Sequence, residues 1–201
     1  MKLAQLTSEN LIMLDAVFTD RFEAINALTD RIDQAGKLTN RQQFLDAVLL
    51  REEEGPTALG EYLAVPHGKS IAVTEPVFAC AFVKDELQWQ GLDGDEPVNM
   101  IFLLAIPPAE AGSTHMEVLT TLTSSLVEDE FREALLQAKT TEEVMALFGA
   151  GEEEPQPTEA EQPSEQQEFI QPEMARDLSA KAYPLVLGVG LAVSVLLFLM
   201  L

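Results

Sequence analysis

Two nearly uninterrupted apolar runs, Val77-Phe78-Ala79-Cys80-Ala81-Phe82 and Val98 to Ala105, constrain the fold of this chain more than any other feature. A strand with one face in water alternates apolar and polar residues, because successive side chains point to opposite faces. Runs apolar at nearly every position belong to strands covered on both faces. Pro107-Pro108 stops the second run, so a strand ends there rather than continuing as a helix.

The segments around these runs carry helical spacing. Phe22, Ile25, Leu28 and Ile32 recur at the period of one helix face, and Gly36 is placed to end that helix. Asn40 can cap a second helix whose apolar face holds Phe44, Leu45, Val48 and Leu49. Leu11 to Leu14 reads as a first strand, and Tyr62 to Val65 as a short one closed by Pro66. A further helix is expected from about Thr114, with Leu119, Leu122 and Leu126 inward. A last one follows Thr140, which with Glu143 makes a capping box ahead of Val144, Leu147 and Phe148. Strands interleaved with helices predict an α/β sandwich built on a mixed sheet.

Composition divides the chain into three segments. Residues 1–148 hold all of this periodicity and form the expected folded domain. Residues 149–181 open as Gly-Ala-Gly-Glu-Glu-Glu-Pro-Gln-Pro and stay rich in Glu, Gln and Pro until about 173. Such a stretch buries too little apolar surface to offset its ordering entropy, so a disordered linker is expected. As a coil, about 25 of its residues would span roughly 25–30 Å. Residues 182–201 are apolar or small except Ser194, and their number matches the ~20 residues of a membrane-crossing helix. Arg176 and Lys181 precede that stretch and no charge follows it, which predicts a folded domain on the cytoplasmic side, anchored by its C-terminus.

The formal net charge is -22, from 34 acidic and 12 basic residues. Through Ala150 the acidic excess is already 25 to 10, which argues against nucleic acid as a ligand. Cys80, the one cysteine, lies inside an apolar run and reads as a small buried hydrophobe. One cysteine and two distant histidines make no metal-ligand set, and no cofactor motif is present.

Both histidines stand at informative places. His67 follows a strand in Val65-Pro66-His67-Gly68, where Pro66 stiffens the backbone and Gly68 allows a close approach to the main chain. An imidazole unprotonated near neutral pH is a ready nucleophile, although Pro-His-Gly alone is better read as a turn histidine with no role. His115 leads a predicted helix, where the dipole favours neutral imidazole or a nearby anion. Arg51 closes the second predicted helix, as a cation suited to a helix C-terminus or as a guanidinium aimed at phosphate oxygens.

Taken together, Arg51, Thr57-Ala58-Leu59-Gly60 and the short apolar strand ending in Pro66-His67-Gly68 resemble the active-site segment of the fructose/mannitol type of phosphotransferase-system enzyme IIA. The match extends to Leu92-Asp93-Gly94, to Pro97-Val98 and to His115 with Leu119 and Leu122, across about residues 3–148. The resemblance implies that family's α/β sandwich, and a phosphoryl carrier. His67 would be phosphorylated, Arg51 and His115 would assist, and Thr57, Gly60 and Gly68 would support the loop. It further implies phosphate from HPr or an HPr-like domain, transfer to a cysteine of enzyme IIB, and sugar uptake through membrane enzyme IIC, with fructose or a related sugar as cargo. A regulatory paralogue that signals through its phosphorylation state would share the same histidine. No cysteine follows Cys80, so no IIB site lies in this sequence.

Overall fold

The computed structural model of the protein describes residues 2–108 and 113–151, leaving aside the side chains at positions 113–116, 118 and 119. The expected linker beyond 151 and the apolar segment 182–201 lie outside the described residues. Among the described residues no helix is long and apolar enough to cross a membrane.

Five strands form one sheet: β1 (Ile12–Ala16), β2 (Leu63–Ala64), β3 (His67–Lys69), β4 (Val77–Gln90) and β5 (Asp95–Ile106). β4 and β5 pair antiparallel at its centre, β1 lies parallel to β4, and β2 and β3 both lie parallel to β5. Side chains on the two central strands alternate between two cores. Phe78, Cys80, Phe82, Met100, Phe102 and Leu104 enter one, while Val77, Ala79, Ala81, Ile101, Leu103 and Ala105 enter the other. Both faces are covered, which is why the sequence shows almost no polar position there.

α1 (Arg21–Gln34) and α2 (Arg41–Glu54) cover one face with Ile25, Leu28, Ile32, Phe44 and Val48. α3 (Ser113–Val127), α4 (Asp129–Gln137) and α5 (Thr141–Leu147) cover the other with Leu122, Leu126, Leu135 and Val144. Burial pushes the Cys80 thiol far above the usual thiol range, which suits its role as packing. Asn40 caps α2 by accepting from the Gln43 N–H at 3.0 Å. Thr140 caps α5 through Glu143 N–H at 3.2 Å, but the Glu143 carboxylate returns to Lys139 N–H, one residue ahead of the cap.

The sequence reading differs from the structure at three places. β4 runs on to Gln90 across Lys84-Asp85-Glu86, because a register shift between Phe82 and Leu87 lets that exposed triplet bulge outward. The strand then turns at Gly91 to Gly94, closed by the Gly91 N–H to Gly94 carbonyl bond of 2.8 Å, and returns as β5. α4 is a helix of its own. Its junction with α3 is held by the buried Arg132, whose Nη1 donates to the Leu126 and Val127 carbonyls at 2.7 and 2.8 Å. Finally, the strand near residue 63 does not end at Pro66. It pauses there and resumes as β3, so His67 opens a strand rather than ending one.

Candidate functional site

The site lies at the sheet edge, where the last turn of α2 meets β3. Pro66 suits an edge position: it lacks an N–H, and its carbonyl accepts from Leu104 N–H at 3.0 Å. Gly68 is buried against α2. A Cβ at that position would lie 2.6 Å from Val48 Cγ2, 3.0 Å from Phe44 Cε2 and 3.2 Å from the Val48 backbone N. What Gly68 admits close to the main chain is therefore a helix. That approach brings Arg51, one turn beyond Val48, beside His67.

Arg51 Nε donates to His67 Nε2 at 3.0 Å, and Arg51 Nη1 donates to the Gly55 carbonyl at 3.0 Å. On the other side of the ring, His67 Nδ1 lies 3.0 Å from the Val65 carbonyl. A carbonyl only accepts, so Nδ1 carries the proton and Nε2 presents its lone pair to Arg51. Both side chains are half-buried. The arrangement leaves one nitrogen, Nε2, unprotonated and sets a guanidinium on it.

Thr57 holds the loop beneath the histidine. Its carbonyl accepts from Val65 N–H at 2.9 Å, and Ala58 bridges Ala64, so residues 57–59 pair back on β2. Its hydroxyl donates to the buried Glu52 Oε1 and accepts from Trp89 Nε1 at 3.1 Å. Glu52 Oε2 has no hydrogen-bond partner among the described residues. Burial raises the Glu52 pKa above the usual carboxylate value, against the Thr57 hydrogen bond, the nearby Trp89 indole N–H and the positive charges of Arg21 and Arg51. The loop then turns through three left-handed residues, Gly60 at φ 78°, Glu61 at 52° and Tyr62 at 61°. The two that carry a Cβ cost on the order of 1–3 kcal/mol each. Opposing that cost, Leu63 N–H bonds the Gly60 carbonyl, Asn99 and Met100 N–H bond the Tyr62 carbonyl, and Arg132 pairs with Glu61 at 3.2 Å.

The structure thus brings Arg51, His67, Gly68 and Thr57 together, with Gly60 at the far end of the same loop. His115 is the third residue of α3, and its side chain lies outside the described residues. Glu52 and Trp89 were not among the expected site residues. Glu52 sits in Glu52-Glu53-Glu54, which reads as a solvated charge run, and Trp89 is 32 positions from Thr57. The alternation of Leu87 and Trp89 with Gln88 and Gln90 is the one sequence signal that could have placed Trp89 on a buried strand face.

Residues 5–150 match the family model described as phosphoenolpyruvate-dependent sugar phosphotransferase system, EIIA 2. The chain belongs to that family. This EIIA is a phosphotransferase component, a carrier of phosphoryl groups. It is 51% identical over 148 residues to the PTS system 2-O-alpha-mannosyl-D-glycerate-specific EIIABC component of Escherichia coli, covering 74% of this chain and 22% of that protein. To the fructose-specific EIIA component of Haloferax volcanii it is 32% identical over 146 residues, covering 73% of this chain and 94% of the relative. Among solved structures, the nitrogen regulatory protein IIA-Ntr of Neisseria meningitidis superposes with a TM-score of 0.66 at 25% identity, over 72% of this chain and 97% of its own. The EIIA chain therefore spans about a fifth of the length of the E. coli EIIABC relative.

Proposed function

We propose that His67 Nε2 accepts a phosphoryl group from phospho-HPr, or an HPr-like domain, and passes it to a cysteine of enzyme IIB. The observation that carries this reading is the Nε2 lone pair, fixed by the Val65 carbonyl on Nδ1 and met by Arg51 at 3.0 Å. In the accepting step the Nε2 electron pair forms the new N–P bond. The donor's P–N bond breaks, and its electron pair returns to the donor imidazole. The proton stays on Nδ1, hydrogen-bonded to the Val65 carbonyl, so no base is needed. Arg51 leaves Nε2 as the phosphorus arrives and turns its N–H groups to the equatorial oxygens, while Gly55 tethers one end of the guanidinium. His115 assists the onward step without being phosphorylated.

The test is incubation of the chain with phosphoenolpyruvate, enzyme I and HPr, followed by mapping of the acid-labile phosphate. His67→Ala abolishes the label in a folded protein. Full labelling of that variant would end the proposal.

The system served takes up a sugar of the 2-O-α-mannosyl-D-glycerate class rather than fructose, a reading supported by 51% identity to the relative named for that sugar against 32% to two relatives named for fructose. Paired with matching IIB and IIC components, phosphorylation of mannosylglycerate should exceed that of fructose; equal rates would remove the assignment. A regulatory role is the second reading, supported by the likeness to IIA-Ntr. It predicts stable phospho-His67 that no IIB cysteine discharges. Residues 149–181 and 182–201 are proposed as a tether and a membrane span, supported by their composition, which would hold the domain at the cytoplasmic face.

A further inference from the structure

The buried Glu52 has no part in the chemistry so far described, and its surroundings are unfavourable for a carboxylate. Oε2 has no hydrogen-bond partner among the described residues, and a hydrocarbon of similar size would avoid the cost of burying it. One thing an acceptor does here that a hydrocarbon cannot is orient the Thr57 hydroxyl. A hydroxyl has one proton. With that proton given to Glu52 Oε1, the Thr57 oxygen turns a lone pair to Trp89, whose fully buried indole N–H has only donation to offer. Thr57 is thereby held from both sides at the side chain.

The same residue reaches the histidine through the backbone. Its carbonyl receives Val65 N–H at 2.9 Å, and the Val65 carbonyl receives His67 Nδ1–H at 3.0 Å. Trp89, Thr57, Val65 and His67 are thus joined in series by consecutive hydrogen bonds. Meanwhile α2 presents Arg51 and Glu52 as consecutive residues, about 100° apart around the axis, so one helix turn supplies both ends of the arrangement. We infer that Glu52 and Trp89 are positioning residues, which act through Thr57 and the Val65 peptide to keep His67 in its Nδ1–H tautomer with the Nε2 lone pair available for reaction. The inference rests on the reading of His67 as phosphoryl acceptor, and it extends the site from the surface into the core between α2 and β4.

The test pairs a spectroscopic readout with a kinetic one on the full chain. Imidazole 15N shifts report the tautomer of unphosphorylated His67, and rapid quench reports its phosphorylation by phospho-HPr. Glu52→Leu and Trp89→Phe should mix in the Nε2–H tautomer and slow phosphoryl acceptance by on the order of five- to tenfold. Glu52→Gln keeps an acceptor for the Thr57 hydroxyl and should stay within about twofold of the parent in rate, with an unchanged tautomer. A tautomer left unchanged in both Glu52→Leu and Trp89→Phe overturns the inference. So does a loss in Glu52→Gln as large as in Glu52→Leu. Where Glu52→Leu does not fold, Trp89→Phe decides. Failure of the parent chain to accept phosphate overturns the functional reading instead, and the 15N comparison still judges this one.

Discussion

Gly68→Ala tests whether the approach of β3 to α2 sets the site. The new methyl would fall 2.6 Å from Val48 Cγ2, 3.0 Å from Phe44 Cε2 and 3.2 Å from the Val48 backbone N. The phenyl edge can give by a few tenths of an ångström, but the Val48 methyl must shift further, and the backbone nitrogen sits inside α2 and cannot move alone. Overpacking of this kind costs about 1–3 kcal/mol. Near the middle of that range, a domain of this size loses about 4–8 °C in melting temperature. Val48→Ala removes the nearest atom, costs about 1–3 kcal/mol by itself, and opens the space that the methyl of Gly68→Ala would fill. The double variant should therefore be more stable than the sum of the single changes by about 1 kcal/mol, with the 3.2 Å contact to Val48 N keeping the rescue partial. Denaturant melts of the four proteins measure the cycle, and phosphorylation by phospho-HPr reports whether Arg51 has drawn away from His67. A Gly68→Ala melting point within about 1 °C of the parent refutes the argument. Additivity within about 0.5 kcal/mol does so too.

Three further outcomes are expected. Arg51→Ala removes a charge-assisted donor worth about 1.5–3 kcal/mol and should slow phosphoryl transfer roughly ten- to a hundredfold, while His115→Ala should keep phosphate on His67 and slow its release to IIB; normal rates in both would remove these roles. Glu52 binds its proton more tightly folded than unfolded, so its stabilising contribution is present below the ordinary carboxylate value of 4.5 and lost as pH rises through the raised value. The stability of Glu52→Gln relative to the parent should accordingly climb between acidic and neutral pH, and a difference that stays flat from about pH 4 to 8 contradicts the burial argument. The full chain should sediment with membranes and resist carbonate extraction, whereas release by carbonate would exclude a span at 182–201.

The centre of the sheet was legible because burial on both faces makes β4 and β5 apolar at positions of either parity, in runs short enough for strands and stopped by Pro107-Pro108. Caps were legible where a side chain does the capping, as at Asn40 and Thr140. α4 was missed for the converse reason. Its N-cap, Glu128, makes no side-chain cap bond, and the preceding helix end is closed by Arg132 from within α4 itself. The outer half of β4 was missed because Lys84-Asp85-Glu86 interrupts the pattern at a bulge, which local sequence does not announce. At the site, resemblance picked out His67, Arg51, Thr57 and Gly60, but it named residues and not the bonds between them. The link from Trp89 through Thr57 to Val65 crosses from β4 to the loop, and only the folded chain brings those segments together.

That division of labour follows from how α2 is used. Phe44 and Val48 sit one turn apart on its buried face and fix the helix on β3, where Gly68 leaves no Cβ between them. One further turn brings Arg51 to His67 Nε2, and the next residue sends Glu52 inward to Thr57. Packing that fixes the first pair necessarily fixes the second, because the helix backbone between them is rigid. His67 Nε2 is thus located to within a hydrogen-bond length of Arg51 by core contacts made away from solvent. The loop that carries its other support buries Thr57 and Ala58 and then comes to the surface, with Leu59 and Tyr62 about half exposed. If His67 is the phosphoryl acceptor proposed above, this is the combination its task calls for: a nucleophile held by the core, beside a stretch of loop that stays open to solvent.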